Sequence, residues 1–317
     1  MSSSKQRILI TMGDPSGIGP EVTVKALSDR SISRLAHFQV IGDFSVIDRV
    51  RKSLRAKPEI SLLDLANIPS TNFAFGIQRP AFGKASMEYI DEALKLLKAG
   101  EADALVTAPV NKSSIRSAGF KEFEGHTEYL AQLSGAKEFA MMFVGKHLKI
   151  TLVTRHIALK DVARTITEDM IYRTIRITYE HLKKYFGIKD PKIAVAGLNP
   201  HASDSGLFGD EEETVIIPAI KKASIAIKNI YGPLPADAVF YETLKGKFDA
   251  VVAMYHDQAL APFKTLYFND GVNLTLGLPF IRTSPDHGTA FDIAGRSIAD
   301  PTSMKEAIRL ACSLKPS

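Results

Sequence analysis

The chain has 317 residues, 45% hydrophobic and 24% charged, which is globular composition with room for one large domain or two lobes. Its 40 basic and 35 acidic residues are interspersed, so the net charge of +5 suits a phosphate-bearing small substrate but provides no nucleic-acid footprint. A single cysteine, Cys312, excludes an internal disulfide and a cysteine-rich zinc site, so any metal must be held by His and carboxylates. The N-terminal Met1-Ser-Ser-Ser-Lys-Gln-Arg lacks an apolar signal core and no apolar run is long enough for a bilayer, so a cytoplasmic protein without a membrane partner is expected.

In chain order, residues 7–12 predict a strand, followed by the Gly-rich loop Gly13-Asp-Pro-Ser-Gly-Ile-Gly-Pro-Glu21 and a helix to about Ser28. Strand, Gly-rich loop and helix together invite a phosphate cradle. The dinucleotide spacing G-x-G-x-x-G is absent, however, and a tight structural turn explains the glycines equally well. A second strand is expected at 38–43 and one or two short strands between Arg51 and Arg79, around Ile60–Leu63 and Phe73–Phe75. Met87, Ile90, Ala93, Leu94 and Leu97 recur at helical spacing within Lys84–Lys98, with Gly100 after the end. Residues 104–109 form a strand running into Lys112, and Lys112–Arg116 is left as loop. Gly119–His126 is a loop ahead of a helix that Thr127 could cap.

Strands at 139–144 and 148–154 flank Gly145-Lys-His147 as a hairpin, and a long helix at 167–186 ends near Gly187 with His181 on its surface. A strand at 193–197 exits through Leu198-Asn-Pro-His201, and an acidic run at 210–213 opens a helix to about Lys228. Residues 231–237 are expected to be loop. The apolar run 250–254 is a buried strand, followed by Tyr255-His-Asp-Gln258 and a short helix ending at Lys264. Strands at 274–278 and 280–281, a loop at 282–295 entering a helix, and a helix at 303–314 complete the chain. The class is α/β, with a mostly parallel sheet and an inserted antiparallel hairpin.

Three histidines share one context. His156, His201 and His256 each follow an apolar strand, and such loops at one sheet edge can converge or meet across a subunit interface. Three imidazoles with an open fourth position suit zinc, cobalt or iron better than magnesium or calcium. The bland alternative is a hydrogen-bonded histidine in each turn. Lys264, Asn273 and Arg282 offer two cations and an amide for a phosphate or carboxylate, against solvent exposure and ordinary ion pairing.

Met12–Glu21, Thr107-Ala-Pro-Val-Asn-Lys112, Gly125-His-Thr127, Leu198-Asn-Pro-His-Ala202, Gly232-Pro-Leu-Pro-Ala-Asp237, Met254-Tyr-His-Asp-Gln258 and Gly271–Ser284 resemble, in order from about residue 7 to 300, the 4-hydroxythreonine-4-phosphate dehydrogenase family of pyridoxal phosphate biosynthesis. The first segment and Asp286-His-Gly-Thr-Ala-Phe-Asp-Ile-Ala-Gly295 also resemble the isocitrate and isopropylmalate dehydrogenase superfamily. The resemblance implies a two-lobed, three-layer αβα fold with the active site in the cleft between lobes. The lobes implied are 1–105 with 285–317, and 106–284 carrying a homodimer interface. It implies NAD and one divalent metal (zinc, magnesium or cobalt) as cofactors, with His156, His201 and His256 as metal ligands shared across the dimer. His126, Thr127, Lys264, Asn273 and Arg282 match substrate-binding positions, and Asp286, His287, Gly288, Thr289 and Asp292 the nucleotide loop.

The implied reaction oxidises the 3-hydroxyl of 4-phosphohydroxy-L-threonine and then removes carbon dioxide, leaving 3-amino-2-oxopropyl phosphate. Asp257 and Lys112 are the candidate general bases. Arg155 stands before His156 where the biosynthetic branch commonly has a small polar residue, and the loop at 112–116 also departs. D-threonate or D-erythronate 4-phosphate is therefore the alternative substrate. A three-histidine hydrolase, which would need no nucleotide loop, and a non-catalytic metabolite binder are the readings from other classes.

Overall fold

The computed structural model describes residues 5–56, 58–68 and 73–315. The chain begins with β1 (Arg7–Thr11), α1 (Gly19–Ser28), α2 (Arg30–Ser33), β2 (His37–Gly42), α3 (Phe44–Leu54) and β3 (Ser61–Asp64). It continues with α4 (Pro80–Lys98), β4 (Ala104–Thr107), α5 (Lys112–Ser117), α6 (His126–Ser134), β5 (Ala140–Val144) and β6 (Lys149–Leu152). After these come α7 (Val162–Thr165), α8 (Glu168–Lys184), β7 (Ile193–Ala196), α9 (Ile217–Ser224), β8 (Ile230–Leu234) and α10 (Ala236–Leu244). The last elements are β9 (Ala250–Ala253), α11 (His256–Tyr267), β10 (Val272–Leu276), β11 (Ile281–Pro285) and α12 (Thr302–Ser313).

The chain divides into two compact units, Met1–Ala136 with Leu278–Ser313 and Lys137–Gly277 with Leu314–Ser317. Segments 106–136 and 278–284 lie in the first, whereas the sequence resemblance implied edges at 105 and 284. They stay there because β4 pairs with β1 and β11, and α5 packs on α4.

In the first unit the strands run β3-β2-β1-β4-β11, each parallel to its neighbour. Ile8, Leu9, Ile10, Val40, Ile41, Leu105 and Val106 are buried, which is the continuous apolar pattern of parallel strands covered on both faces. α4 lies against β1 and β2, and α12 against β4 and β11.

In the second unit β10, β5 and β6 pair antiparallel, while β6, β9, β7 and β8 continue in parallel. Side-chain alternation separates the two faces. Met141, Phe143, Ile150, Leu152, Val251 and Ala253 share a core with Val239 and Phe240 of α10 and Phe263 and Tyr267 of α11. Thr151 points the other way, its hydroxyl 3.0 Å from that of Thr178 on α8.

Several expectations are corrected. Phe73 and Phe75 form no strand; their rings pack edge to face at 4.9 Å beside a turn. Residues 230–234 are the edge strand β8 rather than loop, because an edge position tolerates Gly232 and Pro233. Lys112–Ser117 is a helix, capped by the Asn111 side chain, which accepts from Ser114 N at 2.7 Å. Gly125, not Thr127, stands at the N-cap of α6. Residues 286–290 are irregular and 291–297 make turns, so the loop leads into no helix before Thr302.

His181 is not a surface residue. Its Nε2 accepts from Gly277 N at 2.9 Å and its Nδ1 lies 2.8 Å from Ile177 O, which fixes a neutral tautomer with the proton on Nδ1. Burial is the main cause that holds its pKa below 6.5, with Lys184 adding to it and the Ile177 bond and Glu180 opposing. Gly277 has φ +90°, and a Cβ there would stand 2.2 Å from Glu138 O.

Two outcomes follow. Gly277→Ala lowers stability by about 2–4 kcal/mol through left-handed strain and overpacking, read as a lower urea midpoint. Because the unfolded histidine binds a proton more readily than His181 does, stability falls as pH drops through 6.5 and levels off below the depressed native value. In His181→Gln that part of the pH slope disappears, measured by urea titration across pH 5–8.

Candidate active site

In the first unit, β11 places Arg282 beside β4, opposite Leu105. Arg282 is buried, with Nε and Nη2 donating to Thr107 Oγ1 at 3.1 and 2.6 Å and Nη1 to Thr127 Oγ1 at 3.4 Å. Burial brings its pKa down to about 10, with Glu128 acting in the opposite sense. It remains a cation at neutral pH. His126 opens α6, and burial, then Arg282, then Lys112 push its pKa well below 6.5. Its Nε2 is buried without a hydrogen-bond partner. Arg282, Lys112, the neutral imidazole of His126 and the N-terminus of α6 therefore form a group of donors suited to an anion.

The Gly-rich loop has another role. Asp14 N donates to Pro109 O at 2.9 Å, Ser16 N to Asp14 Oδ1 at 2.9 Å, Gly17 N to Asp14 O at 3.0 Å and Ile18 N to Thr289 O at 2.9 Å. Ser16 Oγ donates to Ala74 O and accepts from Ile77 N. These N–H groups are consumed inside the protein, so the loop ties β1 to the segments at 74–77 and 289 instead of presenting them to a phosphate. Burial raises the Asp14 pKa to about 6, with the Ser16 N–H opposing.

In the second unit, the exits of β6, β9 and β7 are stitched together. Thr154 N and Oγ1 both donate to Met254 O, at 3.1 and 2.7 Å. Gln258 is buried, accepts from Met254 N and donates to Gly197 O, both at 2.7 Å. The rings of His156 and His256 stand 5.7 Å apart, centre to centre. His256 Nδ1 lies 2.6 Å from Asp257 Oδ1, so a proton held there leaves Nε2 with its lone pair. Asp257 is 85% exposed at its side chain, and its contact with His256 makes it an orienting carboxylate.

His201 stands apart from that pair. It is exposed, with its ring 6.3 Å from Phe208, on a turn in which His201, Ala202, Ser203, Asp204 and Ser205 all have positive φ, from 47° to 68°. That conformation costs a non-glycine residue about 1–2 kcal/mol each time it is adopted. Among the described residues no three His, Cys, Asp or Glu side chains are grouped closely enough to hold a metal. The donor chemistry of the His156–His256 pair, with Asp257 fixing one tautomer, fits two ligands of a divalent ion such as zinc or cobalt, with further ligands needed from elsewhere.

Lys264, on α11, has its ammonium 5.4 Å from the Phe268 ring centre. Asn273, on β10, has a buried Oδ1 without a hydrogen-bond partner. Arg155 lines a cavity of about 190 Å³ with Lys137, Glu138 and Arg173, its guanidinium 4.7 Å from the centre of the Phe139 ring. In the loop expected to bind nucleotide, Asp286 N donates to Ser303 Oγ at 3.0 Å, His287 Nδ1 lies 3.0 Å from Gly288 O, and Thr289 O accepts from Ile18 N at 2.9 Å. Gly288 and Asp292 face solvent, and a Cβ added at Gly288 would meet nothing within 4 Å.

The family model described as pyridoxal phosphate biosynthetic protein PdxA matches residues 12–311. The chain belongs to this family. It is 42% identical to a 4-hydroxythreonine-4-phosphate dehydrogenase of Geobacter metallireducens, over 99% of this chain and 97% of that one. It is 45% identical to a D-threonate 4-phosphate dehydrogenase of Cupriavidus necator, over 99% and 98%. Among solved structures, a 4-hydroxythreonine-4-phosphate dehydrogenase from Burkholderia phymatum superposes with a TM-score of 0.85 at 41% identity, over 99% and 100%. The family's named relatives are dehydrogenases, and this chain is an oxidoreductase of their kind.

Sequence reasoning passed over Thr107, Thr154, Gln258, Asn199 and Glu212. Their signal is shared by most of them: a polar residue at, or just past, the end of a fully apolar strand has no apolar reason to be there. Gln258→Leu leaves Met254 N and Gly197 O buried without partners and costs about 2–4 kcal/mol in a urea unfolding titration.

Proposed function

We propose that the enzyme oxidises the 3-hydroxyl of 4-phosphohydroxy-L-threonine with NAD and then removes its carboxyl group as carbon dioxide, with a divalent metal bound by His156, His256 and, across a homodimer interface, His201. The observation that carries this reading is the close pair of imidazoles, His156 and His256, with His256 Nδ1 held by Asp257. A divalent ion there supplies Lewis-acid stabilisation of the oxygen on C3.

The chain's own residues do the rest. Arg282 and neutral His126 bind an anionic group of the substrate, with Thr127 alongside, and Lys264 and Asn273 are the second unit's candidate substrate contacts. Binding of the phosphate would hold the carbinol in place for the oxidation, and the 286–292 loop would hold the adenosine half of NAD through Asp286, His287, Gly288, Thr289 and Asp292, the nicotinamide supplying the hydride acceptor. Hydride leaves C3 and the hydroxyl proton goes to a base, giving NADH and a β-keto acid. The bond from C2 to the carboxylate then breaks, its electrons pass toward the C3 oxygen, and a proton is returned to C2. With Asp257 engaged on His256, Lys112 is the proton carrier.

A second substrate reading has a specific support: the D-threonate 4-phosphate relative is as similar as the others, and Arg155 stands before His156. Incubation of the protein with NAD, a divalent metal and either 4-phosphohydroxy-L-threonine or D-threonate 4-phosphate, followed by NADH absorbance, decides between them. NADH from neither substrate overturns the reading. Lys112→Met lowers kcat by about 10²–10⁴ with a smaller change in KM if Lys112 carries the proton. A rise in KM alone assigns it to anion binding.

A further inference from the structure

We propose that Glu212 is a positioning residue, which together with Asn199 clamps the left-handed turn at 201–205 and thereby aims the imidazole of His201. The proposal deepens the metal-ligand reading of His201 given above and rests on it. A run of left-handed L-residues persists only where its surroundings over-determine it. His201 itself is exposed and cannot supply that restraint.

The restraint comes from the opposite side of the turn. Glu212 is 1% exposed, and its Oε1 accepts from both Leu198 N and Asn199 N at 2.7 Å. Asn199 Nδ2 donates to Glu212 Oε2 at 2.8 Å and to Glu211 Oε2 at 2.7 Å, while Asn199 O accepts from Ala202 N at 3.1 Å. The turn folds directly onto the end of β7: a Cβ at Gly197 would stand 2.8 Å from Ala202 Cα and 3.1 Å from Glu212 Oε1. Buried Ser203 anchors its far end, with its carbonyl accepting from Phe208 N at 3.1 Å and its hydroxyl from Gly206 N at 3.1 Å. Glu212 opens a π-helical turn, Glu212–Ile216, a geometry that recurs at functional sites. A buried carboxylate is a costly way to close an ordinary loop, since apolar packing does so without desolvating a charge. Here its two oxygens reach three donors on the strand-exit loop, and the side chain carried beyond them is His201.

The test uses the full chain, stripped of metal with a chelator, in native, Glu212→Ala, Asn199→Ala and His201→Ala forms and in the Glu212→Ala/His201→Ala double variant. Two quantities are measured: amide hydrogen exchange of the 197–206 peptide without metal, and the dissociation constant for cobalt(II) from its visible spectrum. Glu212→Ala is expected to speed exchange in that peptide and to raise the cobalt Kd by about 10–100-fold, with no further rise in the double variant. Asn199→Ala, which removes one arm while keeping the backbone bonds, gives the same pattern at smaller size and serves if Glu212→Ala does not fold. Unchanged exchange overturns the clamp. Faster exchange with a native cobalt Kd in Glu212→Ala, while His201→Ala weakens cobalt, shows a merely structural role and overturns the positioning. A native Kd in His201→Ala overturns the ligand reading itself, and the proposal with it, even where exchange shows that the clamp exists.

Discussion

A single buried amide holds the second unit's loops in register. Gln258 accepts from Met254 N and donates to Gly197 O, so the exit of β9 is bonded to the exit of β7, and Thr154 bonds the exit of β6 to β9 by donating to Met254 O. Parallel strands deliver their carboxyl ends to one edge, but the strand ladders stop at those ends and leave the following backbone groups without partners. Buried groups of that kind must find side-chain partners, and the residues that supply them fix where each loop departs. His156 and His256 leave the sheet two residues beyond Thr154 and Met254, so the separation of their rings is set by hydrogen bonds in the strand exits rather than by the rings themselves.

The first unit solves a different electrostatic problem. Arg282 is buried, and its guanidinium donates to the hydroxyls of Thr107 and Thr127. Its field, together with burial and Lys112, keeps His126 neutral, so cations and an uncharged imidazole coexist at close range without repulsion. Such an arrangement favours an incoming anion over the empty protein, because the anion gains fixed donors that need no reorganisation.

Much of the fold was legible because parallel strands buried on both faces read as uninterrupted apolar runs: Ile8–Ile10, Leu105–Val106, Ile193–Ala196 and Val251–Ala253. Elements whose stability comes from tertiary packing were not. α3 buries only Val46, Ile47 and Val50, too few for a clear period, and α10 is short and buries only Val239, Phe240 and Thr243. β8 carries Gly232 and Pro233, which read as a turn and are allowed by its edge position. At the site, the post-strand placement of His156 and His256 was visible from spacing alone. The neutral, bonded state of His181 was not, because its partner Gly277 is 96 residues away. Nor was the separation of His201 from the other two, since local sequence carries no marker for a left-handed run of ordinary residues.

That run also sets a limit on how this protein can be stabilised. At most turns a left-handed residue is glycine, and replacing it is harmful; at Ala202, Asp204 and Ser205 the relation is inverted, because glycine is the residue the backbone would prefer. Substituting glycine there relieves strain in the native state but also widens the set of conformations open to the loop. Relief of native strain and loss of order in the free loop therefore pull in opposite directions at the same few positions, so the net effect of each glycine on stability is smaller than the strain it removes.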